Sequence, residues 1–84
     1  MNQVGELVEA FLKNKSASEM LDFLKGILTP REIDELSTRL QIVKLLKKGL
    51  PHQEIARRLG VGVATVTRGS REIRMGRFKN IWKT

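Results

Sequence analysis

The 84-residue chain has no cysteine and no tyrosine, one histidine, one tryptophan, two prolines and no long hydrophobic run. The lack of cysteine excludes a disulfide framework, a thiolate nucleophile and thiolate metal sites, and it fits a reducing cytosol. A single histidine, with no carboxylate pair isolated in an apolar setting, leaves neither an enzyme nor a metal site to be expected. Glu32, Asp34 and Glu35 read instead as the negative first turn of a helix. No apolar stretch approaches the roughly 18 residues of a membrane span, and Met1–Asn2–Gln3 is not the basic start of a signal peptide, so the expected location is the cytoplasm. This length is near the lower limit for one self-sufficient hydrophobic core, which predicts a single domain completed by a partner chain.

What the sequence does have is positive charge, unevenly placed. The formal net charge is +7. From Pro51 onward eight basic residues stand against two acidic ones, a balance of +6, while residues 1–50 carry only +1. A polyanion is therefore expected at the C-terminal part. The alternative, that lysine and arginine merely keep a small protein soluble, does not account for the asymmetry.

Val4, Leu7, Val8, Phe11 and Leu12 recur at helical spacing and predict a first helix over about residues 3–14. Ser16 and Glu19 make a capping box for a short second helix bearing Met20, Leu21, Leu24, Ile27 and Leu28, with Gly26 near its end. Thr29-Pro30-Arg31-Glu32 opens a long third helix with a Thr cap, Pro at the first helical position and a Glu that reaches back to the cap. Its Ile33, Leu36, Leu40, Val43 and Leu46 are expected to face inward, Lys47 and Lys48 to gather at its negative end, and Gly49 to stop it. A fourth helix is predicted over about 51–59, with Ile55, Ala56 and Leu59 inward and Gly60 as its stop.

The stretch "RRLGVGVATVTRGS", residues 57–70, invites comparison with a phosphate-binding loop. No strand pattern precedes it, a dinucleotide fingerprint needs glycine where Thr65 stands, and "TRGS" lacks the Gly-Lys-Ser/Thr ending of a P-loop. What remains is helix, turn through "GVG", and a second helix over about 63–74. Its β-branched residues leave a strand over 63–67 as the alternative.

Such a pair suits DNA. Ala56 is small enough for a helix crossing, Gly60 tolerates φ > 0 in the turn, and Ile55, Leu59, Val61 and Val66 can lock the two helices together. With Val66 inward, the start of the second helix presents Val63, Ala64, Thr65, Thr67 and Arg68, small side chains whose methyls and hydroxyls suit base edges and phosphates. Arg57, Arg58, Arg71 and Arg74 would surround that face as phosphate clamps. The competing reading packs Val63 and Ala64 into a core.

The segments "LTPREIDELSTRLQIVKLLKKG" and "QEIARRLGVGVATVTRGS", with "ATVTRGS" the most specific piece, resemble the tryptophan operon repressor family over about residues 27–74. The resemblance implies an all-α fold: an intertwined helical homodimer with a dimerisation core over 1–50, a helix-turn-helix over 51–74 and a short C-terminal helix over 75–84. It implies double-stranded operator DNA as partner and L-tryptophan as corepressor, with no metal. Arg39 and Arg68 are implied to sandwich the indole, Arg68 also pairing with the ligand carboxylate, which suits a guanidinium that stacks on rings and binds carboxylates through a rigid fork. Gly69 is implied to leave room for the ring, and Leu28 and Thr29 to close the pocket and meet the ligand's amino and carboxyl groups. Thr29 is a helix cap on either reading, and an Arg39 pair with Glu35, four residues earlier, is the alternative for Arg39.

On the DNA side the resemblance implies contacts from His52, Gln53, Val63, Ala64, Thr65, Thr67 and Arg74; a lone exposed histidine is otherwise simply solvated. Glu72 stands near the implied ligand carboxylate, where the family usually has serine, and would repel it unless Arg68 or Arg71 neutralises it. The connection between the third and fourth helices is one residue shorter than the family's. Trp82 is expected to anchor the last helix by packing.

The expected function is a dimeric, sequence-specific transcriptional repressor whose corepressor favours the DNA-competent arrangement of the reading heads. Two alternatives remain open: the same scaffold binding DNA constitutively or under another effector, and a small protein-interaction module whose basic tail meets an acidic partner.

Overall fold

Side chains set the starts of the first three helices by satisfying backbone amides that have no partner inside the helix. Asn2 Oδ1 accepts from the Gly5 amide at 2.6 Å and begins α1 (Gln3–Leu12). Ser16 Oγ accepts from the Glu19 amide at 3.1 Å and begins α2 (Ala17–Ile27). Glu19 closes back on the Lys15 amide at 2.8 Å, one residue before the position a capping box predicts. At α3 (Pro30–Lys47) the box is reciprocal: Thr29 Oγ1 accepts from the Glu32 amide at 3.1 Å, and Glu32 Oε1 accepts from the Thr29 amide at 2.8 Å. With α4 (His52–Leu59) and α5 (Val63–Arg74), the computed structural model is all-helical over its described residues, 2–82. Residues 63–67 lie within α5, which excludes the strand alternative. No helix among the described residues is long and apolar enough to cross a membrane.

Backbone packing divides the chain into two compact units, up to Asp34 and from Glu35. The border falls inside α3, whose second half carries Ile42 into a shared core with Ile55, Ala56 and Val66. In the first unit the rings of Phe11 and Phe23 meet edge to face at 5.0 Å. α1 stops at Leu12, two residues early, and Asn14 Nδ2 donates to the terminal carbonyls of Ala10 and Phe11 at 3.1 and 3.2 Å. No residue of α1 or α2 is buried, and Val4, Leu7, Val8, Leu12, Leu21 and Ile27 are exposed.

The second unit holds an apolar core. Ile42, Ile55, Ala56 and Val66 are buried, and Leu45, Leu46, Leu50, Leu59 and Val61 pack against them. Two expectations for α3 change here. Leu36 and Leu40 are 44% and 40% exposed rather than inward, while Ile42, absent from the expected inward set, is 2% exposed. α3 carries apolar residues on more than one face, and the face that meets α4 and α5 is the one through Ile42 and Leu46. Lys47 is also not a free charge at a helix end: its ammonium donates to the carbonyl oxygens of Phe78, at 2.5 Å, and Ile81.

The expected C-terminal helix does not form within the described residues; 75–80 are turns, 81 and 82 are bends, and 83 and 84 lie outside the described residues. Gly76, at φ 82°, turns the chain back at the end of α5, where its amide donates to Ile73 O at 2.9 Å and that of Arg77 to Glu72 O at 3.2 Å. Trp82 consequently anchors no helix and instead lies 5.7 Å from the Lys44 ammonium, a cation–π contact.

Candidate nucleic-acid interface and ligand cavity

Gly60 ends α4 in the left-handed region (φ 66°, ψ 36°), and its amide and that of Val61 both turn back to Ala56 O. Gly62 then starts α5 with extended backbone, so α4 and α5 are joined by three residues. Ile55 and Val66, both 0% exposed, and Ala56, 7% exposed, fix the helices against each other. A Cβ on Gly60 would meet nothing within 4 Å, so a substitution there is opposed by backbone strain alone. Gly60→Ala is expected to destabilise by about 1 kcal/mol and Gly60→Asn by less, read from urea midpoints. Equal midpoints for wild type and Gly60→Ala would refute the strain.

This packing leaves one face of the pair open. Gln53, Val63, Ala64, Thr65, Thr67, Arg71 and Arg74 are exposed and His52 is half-buried. Val63 and Ala64 are therefore outside the core that the competing reading gave them. His52 Nδ1 lies 3.4 Å from Thr67 Oγ1, joining the start of α4 to α5, and Arg74 Nη1 donates to Ser70 Oγ at 3.0 Å.

Arg57 and Arg58, expected as free clamps, share one carboxylate. Arg57 Nη2 lies 2.7 Å from Glu54 Oε2 and Arg58 Nε 2.9 Å from Glu54 Oε1. The hydrogen bond from Arg57, then that from Arg58, holds the Glu54 carboxyl below its usual range, and the same carboxylate raises Arg57. Sequence spacing could have found this trio, since 54, 57 and 58 are i, i+3 and i+4 on one helix.

Between α3, α5 and the turn after α5 lies a cavity of about 410 Å³, within the roughly 300–1,000 Å³ of small-molecule sites. Ile42, Val43 and Phe78 supply apolar walls, Arg39, Arg68 and Glu72 supply charge, and Gly69, Ala64 and Thr65 complete the lining. Neither Arg39 nor Arg68 has an ion-pair partner among the described residues, so the Arg39–Glu35 alternative is not formed. Gly69 serves helix packing as well: a Cβ there would stand 3.0 Å from Ile42 Cγ2 and 3.5 Å from Leu46 Cδ1. Leu28 and Thr29 are not in this lining; Leu28 is the C-cap of α2 and Thr29 caps α3. Glu72 is paired neither with Arg68 nor with Arg71 but with Arg77, Nε to Oε2 3.5 Å. Phe78 and Arg77 were missed because the turn that returns them to α3 and α5 depends on Gly76.

The sequence pattern of the family described as Trp repressor protein matches residues 2–81. A Trp operon repressor homolog of Mannheimia succiniciproducens is 46% identical over 76 residues, covering 89% of this chain and 75% of its own. Homologs of the same description from Vibrio vulnificus and Vibrio cholerae are 39% and 38% identical, covering 87% and 86% of this chain and 70% and 68% of theirs. No solved structure matches the chain at a significant level. A match across nearly the whole chain, on helices that build a buried α3–α4–α5 core, makes this protein a member of the Trp repressor family.

Proposed function

We propose that this protein is a dimeric, sequence-specific DNA-binding repressor that acts in the cytoplasm and takes L-tryptophan as corepressor. The observation that carries the proposal is the shared lining of the cavity: Ala64 and Thr65 belong both to its wall and to the exposed start of α5. A ligand seated between α3 and α5 contacts the backbone segment that presents the reading face. Binding that favours one placement of α5 adds its differential affinity to DNA binding.

The residue types suit that ligand. Arg39 and Arg68, without ion-pair partners among the described residues, provide stacking planes and a carboxylate partner, Gly69 keeps one wall flat, and Ile42, Val43 and Phe78 receive an apolar ring. The names of the curated relatives, Trp operon repressor homologs, support the same assignment. On the DNA side, His52, Gln53, Val63, Ala64, Thr65 and Thr67 form the base-facing surface, with Arg71 and Arg74 at its edge and Arg57 held in reserve by Glu54. Dimerisation is supported by the exposed apolar residues Val4, Leu7, Val8, Leu12, Leu36 and Leu40, which a second copy would cover.

The decisive test is a titration against a labelled operator-like palindrome and its scramble, at fixed salt, with and without millimolar L-tryptophan. Tightening of the palindrome alone by tenfold or more is expected. No change with tryptophan, while the palindrome still outcompetes the scramble, would replace the corepressor by another effector or none. Affinity that tracks salt but not sequence would leave only a basic tail for an acidic partner.

Thr65→Ala is expected to weaken the preferred site by about 1 kcal/mol and spare scrambled DNA; an equal loss on both would remove Thr65 from base reading. Glu54→Gln releases Arg57 and Arg58, so duplexes of any sequence should bind more tightly, with a salt slope steeper by about 1–2. An unchanged slope would show that neither arginine reaches phosphate. The pH dependence follows from the depressed Glu54 carboxyl: its ion pairs are intact above the ordinary glutamate range and are lost only as pH falls through its lowered value. At neutral pH the two arginines therefore stay paired until DNA competes for them.

A further inference from the structure

We propose that Lys47 is a positioning residue for the α3–α5 cavity: by holding the carbonyls of Phe78 and Ile81, it seats the Phe78 ring as a wall against the bound effector. The inference rests on the reading of that cavity as the effector site. It assigns the placement of one wall to a side chain outside the lining.

Phe78 lies in the turns after α5, yet it lines the cavity together with Ile42 and Val43 of α3 and Gly69 of α5. It is half-buried and is not among the apolar side chains packed against the Ile42–Ile55–Val66 core, so the core does not wedge it in place. Regular backbone does not hold it either. The Lys79 amide donates to Gly76 O at 3.4 Å and the Ile81 amide to Phe78 O at 3.1 Å, bonds that stay within the segment. Past Arg77, the hydrogen bonds that tie the segment to the rest of the described residues both come from the Lys47 ammonium, to Phe78 O at 2.5 Å and to Ile81 O.

Lys47 stands in the right place for this role. It follows Val43 by four residues on α3, one turn beyond a wall of the cavity on the same helix face. A lysine in the last turn of a helix ordinarily meets that helix's own terminal carbonyls or solvent. Here two of the three ammonium donors serve carbonyls 31 and 34 residues away in the chain. Lys44, three residues earlier, stands 5.7 Å from the centre of the Trp82 ring and adds a second hold on the same segment. A charge-assisted bond to the Phe78 carbonyl fixes the backbone that carries the ring. A ring already held in place receives the effector without the entropy loss of being ordered by it.

The test is calorimetric binding of L-tryptophan to the wild type, Lys47→Met, Phe78→Ala and the double variant, with acrylamide quenching of Trp82, the chain's one tryptophan, in the ligand-free proteins. Methionine keeps the unbranched stem and the helix propensity of lysine while removing its donors. Lys47→Met is expected to weaken tryptophan binding by about three- to tenfold, the range of one aromatic contact, and to raise the quenching of Trp82. Because Lys47 acts through Phe78, the double variant should bind no more weakly than Phe78→Ala, and Lys47→Arg, which keeps donors and charge, should recover part of the loss. Additive losses in the double variant would overturn the proposal. Should Lys47→Met fail to fold, Lys47→Gln, too short to serve both carbonyls, takes its place with the same expected results. Wild-type protein that binds tryptophan while the Lys47 variant leaves affinity or quenching unchanged defeats the proposal alone. Wild-type protein that does not bind tryptophan defeats the effector-site reading and the proposal with it.

Discussion

Ile55→Ala is expected to destabilise the protein by about 2–5 kcal/mol, read as a fall in the urea midpoint at unchanged slope. Ile55 is 0% exposed and meets Ile42, Ala56 and Val66 at the junction of α3, α4 and α5. Removing three carbons there forfeits their burial and leaves a cavity that a small core closes poorly. A chain of this length has about 4–13 kcal/mol of stability in all, so the loss is a large fraction of the total. The same change is expected to abolish the proposed sequence-specific DNA binding, since Ile55 and Val66 pack α4 against α5. Ile55→Val, with one methyl less, should cost about 0.5–1.5 kcal/mol and keep DNA binding. A loss below about 1 kcal/mol for Ile55→Ala would mean that α4 and α5 are held by something other than this core.

Arg39→Ala should cut L-tryptophan affinity by ten- to a hundredfold while leaving basal DNA binding and Tm close to wild type. Arg39 is exposed, has no ion-pair partner among the described residues, and lines the cavity from α3, so the fold does not need its charge. A guanidinium stacked on an aromatic ring is worth about 0.5–2 kcal/mol, and its charge also attracts a carboxylate. Arg39→Lys keeps the charge but loses the plane, and should recover only part of the affinity. Full tryptophan responsiveness in Arg39→Ala would remove the ring-sandwich assignment, while a matching loss of Tm would show that Arg39 acts on the fold.

Several features of the site were legible from single stretches of sequence, and the reason is local. The α4–turn–α5 unit follows from Gly60 at a left-handed position and from Ile55, Ala56, Leu59, Val61 and Val66 at helical spacing. Arg39, Arg68 and Gly69 could be named from the family resemblance, and the structure brings all three to one cavity. Phe78 was beyond reach because it arrives there through the turn at Gly76 and the hold of Lys47 on the Phe78 and Ile81 carbonyls, 31 and 34 residues away in the chain.

Helix ends could be read from consecutive residues, because a cap is a local contact: Ser16 with Glu19, Thr29 with Glu32, and Gly60 after Leu59. Which apolar residues of α3 are buried depends on packing between helices, since Ile42, Leu36 and Leu40 are similarly hydrophobic and contact with α4 and α5 tells them apart. The same packing pairs Glu72 with Arg77 rather than Arg68 or Arg71, and residues 75–82 run as turns and bends instead of a helix. Spacing within a helix is written in consecutive residues, whereas burial and charge pairing across elements exist only once the elements meet.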